Sequence, residues 1–239
     1  MISGPSFSAP VRGAGAVLWR GAGNVREVAV LHRRHGEWCF PKGRVASGEH
    51  IAAATVRVVA ERAGLPVRLG PWLGCTDYLH EGWPEHVDYF AAEVSPAVTC
   101  AFAASDDIDD LLWLTPEQAA DALSRPDDVR ILHELHNRAR VSTSSLLLMR
   151  DTSGPLRPVI SAYGAGVPCS GADPAGALRI AEESLASGRP AALCAELSVI
   201  QELARRLSPV PVDATIPEGG LLVLHATPDR VLIVERHLA

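Results

Sequence analysis

At 239 residues the chain suits one large or two modest domains, and its 47% hydrophobic and 21% charged residues are an ordinary globular balance. The formal net charge is −6 with no dense Lys/Arg run, which argues against a general nucleic-acid binder or a membrane-surface protein and leaves room for a local basic pocket. Cys39, Cys75, Cys100, Cys169 and Cys194 are scattered without a C-x-x-C pair, so neither a disulfide framework nor a zinc site is indicated, and a reduced cytoplasm is the expected setting.

In chain order, the opening MISGPSFSAPVRG has no apolar core flanked by basic residues, and no run approaches the roughly 18 apolar residues of a membrane span. A soluble, unexported protein is expected. Gly13–Trp19 and Glu27–His32 are apolar runs with β-branched content around the turn-forming Gly21-Ala22-Gly23-Asn24, and they predict two strands. A helix is predicted from Ile51 to Ala63. Strand candidates follow at Leu69–Tyr78, His86–Val94 and Leu111–Leu114. Thr115-Pro116-Glu117 places an N-cap, a first-turn proline and an early acid before a helix to about Leu123, and another helix is predicted over Asp127–Arg140. Val141–Ser145 is polar and short, as a linker would be. Beyond it come apolar runs at Leu146–Met149, Val159–Tyr163, Ala191–Ala195, Leu221–His225 and Arg230–Arg236, all read as strands. Helices are predicted near Asp173–Ser187 and Val199–Leu207. This alternation predicts a second α/β layered unit, with divisions at 8–140 and 145–239.

The spacing within Gly43–Leu65 carries the strongest signal. After Phe40-Pro41-Lys42-Gly43, Glu49 follows Gly43 after five residues and Arg57 follows after seven more, with Glu61, Gly64 and Leu65 behind it. This run resembles the Nudix box, G-x5-E-x7-R-E-U-x-E-E-x-G-U, where U is bulky and apolar. The resemblance implies a Nudix α/β/α sandwich over about residues 8–138, with Gly43 and Glu61 as Mg²⁺ ligands, Glu61 as the catalytic carboxylate, and Glu49, Arg57 and Gly64 as the structural frame of the box. Two positions depart from it: Val58 and Arg62 stand where the family has glutamates.

Helix geometry gives those departures their weight. Residues three and four apart share a face, so 58, 61 and 62 project together. In the family the sequence resembles, that face holds Mg²⁺ through carboxylates, water and the substrate's phosphates. An arginine about 5 Å from Mg²⁺ would cost roughly 6–7 kcal/mol at an effective dielectric near 20, before screening or avoidance. Glu81, Glu85, Asp88 or the Asp106, Asp107, Asp109, Asp110 group could reach in from loops to replace the missing donors.

The second half opens with LLLMRDTSG. This resembles the first strand of the histidine phosphatase family, which ends in Arg-His-Gly or Arg-His-Ala. Here Asp151 follows Arg150, so the family's nucleophilic imidazole is replaced. The family's second histidine aligns near Ala195-Glu196 and is also absent, and the segment is short for the family. A truncated histidine phosphatase-like α/β domain with a relic site at Arg150 and Asp151 is the reading. Together the halves resemble the two-domain MutT-type proteins of high-GC bacteria, which implies oxidised guanine nucleotides and dinucleoside polyphosphates as the substrate class.

Each residue also has a plainer reading. Lys42 is a phosphate contact or an exposed loop lysine. Arg57 braces the loop through Glu49 more readily than it touches substrate. Glu61 is a metal ligand or a surface helix glutamate. Arg62 is a solvated replacement or a cation that holds an anionic ligand without metal. Trp83 stacks on a planar ligand or packs in its hairpin. His80, Glu81, Glu85 and His86 are a metal cluster or, more simply, solvent-facing residues around the Gly-Trp-Pro turn, and Asp106–Asp110 is a solvated acidic loop or a helix start. Asp151, at a strand end, is a ligand contact or a cap. Three functions follow: a Nudix pyrophosphohydrolase of nucleoside di- or triphosphate derivatives, a non-catalytic protein binding a nucleotide-like or other anionic small molecule, and a repurposed metal-independent enzyme of a specialised pathway using His80, Glu81, His86 or Asp88.

Overall fold

The computed structural model describes residues 10–22, 25–80, 82–95, 102–138, 143–150, 156–170, 173–208, 211–217 and 219–238. Strands β1 (Val11–Ala22), β2 (Val25–Arg33), β3 (Trp38–Cys39) and β4 (Lys42–Arg44) precede helix α1 (Ile51–Ala63). Strands β5 (Arg68–His80), β6 (Trp83–Glu93) and β7 (Ile108–Leu114) follow, then helices α2 (Pro116–Ala122) and α3 (Pro126–Arg138). The first sheet runs β3-β2-β1-β6-β5, with β4 paired to β1 and β7 to β2. Strands β1 and β6 are parallel, and the other pairs in this sheet are antiparallel.

Helix α1 forms where the spacing predicts it. His50 caps it through Nδ1, which accepts the Ala52 N–H at 3.1 Å, and Gly64 ends it in the left-handed conformation at φ 64°, where glycine is favoured. Its buried face, Ala52, Thr55, Val59 and Ala63, has helical period and lies on the apolar side of the sheet formed by Ala16, Leu18 and Phe90. Helices α2 and α3 cover the opposite face, where Ala119, Ile131, Leu132 and Leu135 meet Val17, Val30, Leu73 and Tyr89. Thr115 makes the full capping box with Gln118.

The second sheet is built from β8 (Ser144–Met149), β9 (Cys169–Ser170), β10 (Ala191–Cys194), β11 (Leu221–Ala226) and β12 (Val231–His237), with α4 (Leu156–Ala162), α5 (Pro174–Ser187) and α6 (Leu197–Leu207) between them. Its order is β12-β11-β8-β10-β9. Mixed α/β structure with two sheets is thus present.

Two expectations are corrected. Val159–Tyr163 lies in and just after a helix, not in a strand. A short apolar run does not distinguish the two by period alone. Its buried members, Leu156, Val159, Ile160 and Tyr163, fall on one helical face, and Pro158 sits in the first turn, where proline is tolerated. The polar Ser144 and Ser145 are buried members of β8 rather than linker, and Ser145 Oγ lies 3.3 Å from His225 Nδ1. The two halves also share one apolar cluster, in which Val59, Leu69 and Phe90 join Leu147, Met149, Leu156 and Val223.

Candidate functional site

A cleft of about 690 Å³ opens between the box loop, α1, the ends of β5 and β6, and the chain around residues 33–37 and 107–108. That volume suits a small-molecule ligand. Lys42, Gly43, Arg57, Val58, Glu61 and Arg62 all line it, so the positions marked by the box converge.

Arg57 is the hub. Its Nε donates to Glu49 Oε1 at 2.8 Å, and its Nη2 donates to Glu49 Oε2 at 2.7 Å and to the Arg44 carbonyl at 2.9 Å. Glu49 Oε2 also accepts the Ala46 N–H at 2.9 Å. This ties the box loop to the helix. The bond from Arg57 holds the Glu49 carboxyl below its ordinary range. Arg57 Nη1 also donates to both oxygens of Glu61, at 3.2 and 3.1 Å, so the remaining box-helix carboxylate is already engaged by a cation.

Val58 is 1% exposed. It leans on Gly43 so closely that a Cβ added there would lie 3.0 Å from Val58 Cγ2. The metal-facing side of the helix is therefore apolar at this point. Arg62 turns into the cleft, and its Nη1 donates to Asp107 Oδ2 at 3.1 Å. Asp107 also accepts from Arg33 Nη2 at 3.0 and 3.1 Å and from Arg33 Nε at 3.2 Å. The acidic loop is thus more than a solvated segment: Asp107 bridges two arginines at the cleft wall, and Asp109 lies 3.3 Å from Arg34.

Across the cleft, Lys42 Nζ sits 4.9 Å from the centre of the Tyr78 ring and the Arg125 guanidinium 4.3 Å from it. Burial and a hydrogen bond with Glu85 push the Tyr78 phenol up. Asp128, buried beside this group, accepts from the Tyr89 hydroxyl at 3.3 Å, and burial raises its carboxyl above the ordinary value. Arg33, Tyr78, Arg125 and Asp128 escape a reading of the sequence because their signal is tertiary. Trp83 is not brought to the cleft: it is 56% exposed at the start of β6. Glu85 lines the cleft, whereas His86 and Asp88 do not. Glu81 lies outside the described residues.

The box does not fit Mg²⁺. Both oxygens of Glu61 face Arg57, position 58 is apolar and packed, and position 62 is a cation. Among the described residues no three His, Cys, Asp or Glu side chains converge there. A hard cation that needs several oxygen donors meets guanidinium groups instead.

The family assignment rests on the sequence match: residues 9–135, more than half of the chain, match the NUDIX domain. The chain belongs to the Nudix family. The 8-oxo-(d)GTP phosphatase of Mycolicibacterium smegmatis is 36% identical over 150 residues, 59% of this Nudix chain and 45% of that protein's length. The match therefore spans less than half of the relative. Among solved structures, a C. elegans Ap4A hydrolase binary complex is 22% identical with a TM-score of 0.49 over 53% of this chain and 96% of its own. The NUDIX domain of Shewanella oneidensis NrtR complexed with ADP ribose is 16% identical with a TM-score of 0.48, over 56% and 90%.

In the second half, Arg150 follows β8 and its Nη1 donates to the Ile216 carbonyl at 3.4 Å. The parallel strands β8 and β10 end side by side, where the Ala195 N–H donates to the Met149 carbonyl at 3.0 Å. Asp151 lies outside the described residues.

Proposed function

We propose that the Nudix cleft binds a nucleoside di- or triphosphate derivative through its own cations, without a metal on the box helix. The observation that carries this reading is the replacement of the carboxylate wall by Arg62, held by Asp107 beside Arg33. Lys42 supports it: among the described residues no carboxylate lies within ion-pair distance of its ammonium group, which leaves that charge for phosphate. Oxidised guanine nucleotides are the first ligands to test, because the M. smegmatis relative is named for 8-oxo-(d)GTP. Hydrolysis of the same ligand is the second reading, favoured by that relative's name alone. The remaining assignments form one picture with the first: a cytoplasmic protein, with residues 8–140 as the ligand-binding domain and 145–239 as a truncated histidine phosphatase-like domain whose Arg150-Asp151 site has lost its nucleophile.

Phosphate release from 8-oxo-dGTP, diadenosine polyphosphates and ADP-ribose, measured across Mg²⁺ and Mn²⁺ titrations, separates the two readings. No metal-dependent turnover is expected from the native chain, and turnover is expected to appear in the double variant Val58→Glu, Arg62→Glu. Metal-dependent turnover by the native chain, abolished by Glu61→Gln, contradicts the binding reading.

A further inference from the structure

A second group of metal-ligating side chains lies away from the cleft, on the β5–β6 hairpin. Cys75 pairs across the strands with Asp88, and Asp77 with His86. Two register shifts precede them, between Leu69 and Trp72 and between Trp72 and Gly74. An irregularity of this kind switches which residues share a face. Trp72 shares a face with its partner Phe90, and past the shift it is Cys75 and Asp77 that stand beside Asp88 and His86. The thiol, a carboxylate oxygen and an imidazole nitrogen of Cys75, Asp77 and His86 lie within 4.8 Å of one another.

We propose that Cys75, Asp77 and His86 form a binding site for a divalent transition metal of the zinc class, with a fourth position open to solvent. The donor set is one soft thiolate, one imidazole and one carboxylate, which favours zinc over magnesium. Tetrahedral zinc requires its ligand atoms about 3.3–3.7 Å apart, given metal–ligand bonds of about 2.0–2.3 Å. Side-chain rotations that widen the 2.8 Å between His86 Nδ1 and Asp77 Oδ1 and shorten the longer separations bring the three atoms to that spacing, and the most exposed ligand is Asp77, whose side chain is 75% exposed. His86 Nδ1 lies 2.8 Å from Asp77 Oδ1, while its Nε2 lies 3.7 Å from Asp88 Oδ2. Asp88 is itself fixed by the Trp72 indole N–H, which donates to Oδ1 at 3.0 Å. A carboxylate behind the imidazole, oriented by a third group, fixes the tautomer of a metal-bound histidine once it accepts the ring N–H, and Asp88 stands a few tenths of an ångström beyond that distance. Burial, then the nearby Asp77 and Asp88 carboxylates, push the Cys75 thiol up.

Cobalt(II) titration of the full chain, in a reductant that carries no thiol, tests this site. One equivalent is expected to give a thiolate-to-cobalt charge-transfer band that Zn²⁺ bleaches. Cys75→Ser is expected to abolish the band, and Asp88→Asn to weaken binding about 10–100-fold. Asp77→Asn changes an exposed side chain, keeps the fold, and is expected to weaken binding at least tenfold. Glu61→Gln leaves the band in place. Absence of the band, its survival in Cys75→Ser, or unchanged affinity in Asp77→Asn overturns the proposal and leaves the four residues as cross-strand polar pairs.

Discussion

Arg57 joins three features that lie apart along the chain: the loop through Glu49 and the Arg44 carbonyl, the helix through Glu61, and the cleft that it lines. Its pairing with Glu49 is the one the resemblance to the box implies, and the contacts of the Arg57 guanidinium with both Glu49 oxygens close the loop onto the helix. The Arg33–Asp107–Arg62 bridge is not legible: Arg33 and Asp107 are 74 positions apart, and only the pairing of β2 with β7 brings them together. The brace makes a stability prediction. Glu49→Gln is expected to cost about 1.5–3 kcal/mol at neutral pH, the range for hydrogen bonds to charged groups, measured as a shift in urea midpoint. The Glu49 carboxyl is depressed in the fold, so this contribution is full above the ordinary value of 4.5 and fades as pH falls through the lower, folded value. A variant whose midpoint matches the native chain at pH 7 would refute the brace.

Helix α1 is the element the sequence describes best, since its caps and buried face have local causes. The elements it describes poorly are those fixed by distant packing. Helix α4 presents a short apolar run that suits either structure until Val59 and Leu147 join its core, and the shifted face of β5 depends on an irregularity marked in the sequence only by Gly70, Pro71 and Gly74 within the run. The N-cap of α1 has its own pH dependence. Burial, then the nearby His237 and Arg12, lowers His50 from 6.5 to about 4, in keeping with the neutral Nδ1 that accepts from Ala52. The unfolded chain binds the proton more readily, so stability is full above pH 6.5 and declines as pH falls towards about 4. His50→Asn keeps a capping side chain without the titration. Urea midpoints of this variant are expected to lose less than those of the native chain between pH 6.5 and 4.5, and parallel curves would contradict the assignment.

Across the whole molecule, two α/β halves were legible from their alternating patterns, but their junction was not. Buried there, Glu235 accepts from the Tyr163 hydroxyl at 3.1 Å and from the Trp72 N–H, and lies 3.4 Å from His225 Nε2 and 3.3 Å from His237 Nε2. Burial alone would raise this carboxyl. The histidines and their hydrogen bonds outweigh it and depress the value. Residues of the second half thus complete the packing of the sheet that carries the box, while the cleft itself is built from the first half. That division makes ligand binding by the Nudix half the decisive property. Calorimetric titration of 8-oxo-dGTP into the full chain in excess EDTA measures it most directly. Saturable binding without metal is expected, weakened about 10-fold or more by Lys42→Ala and by Arg62→Ala, the range for a lost charge-assisted contact to phosphate. Binding that appears only when Mg²⁺ is supplied, and that Glu61→Gln removes, would contradict the account.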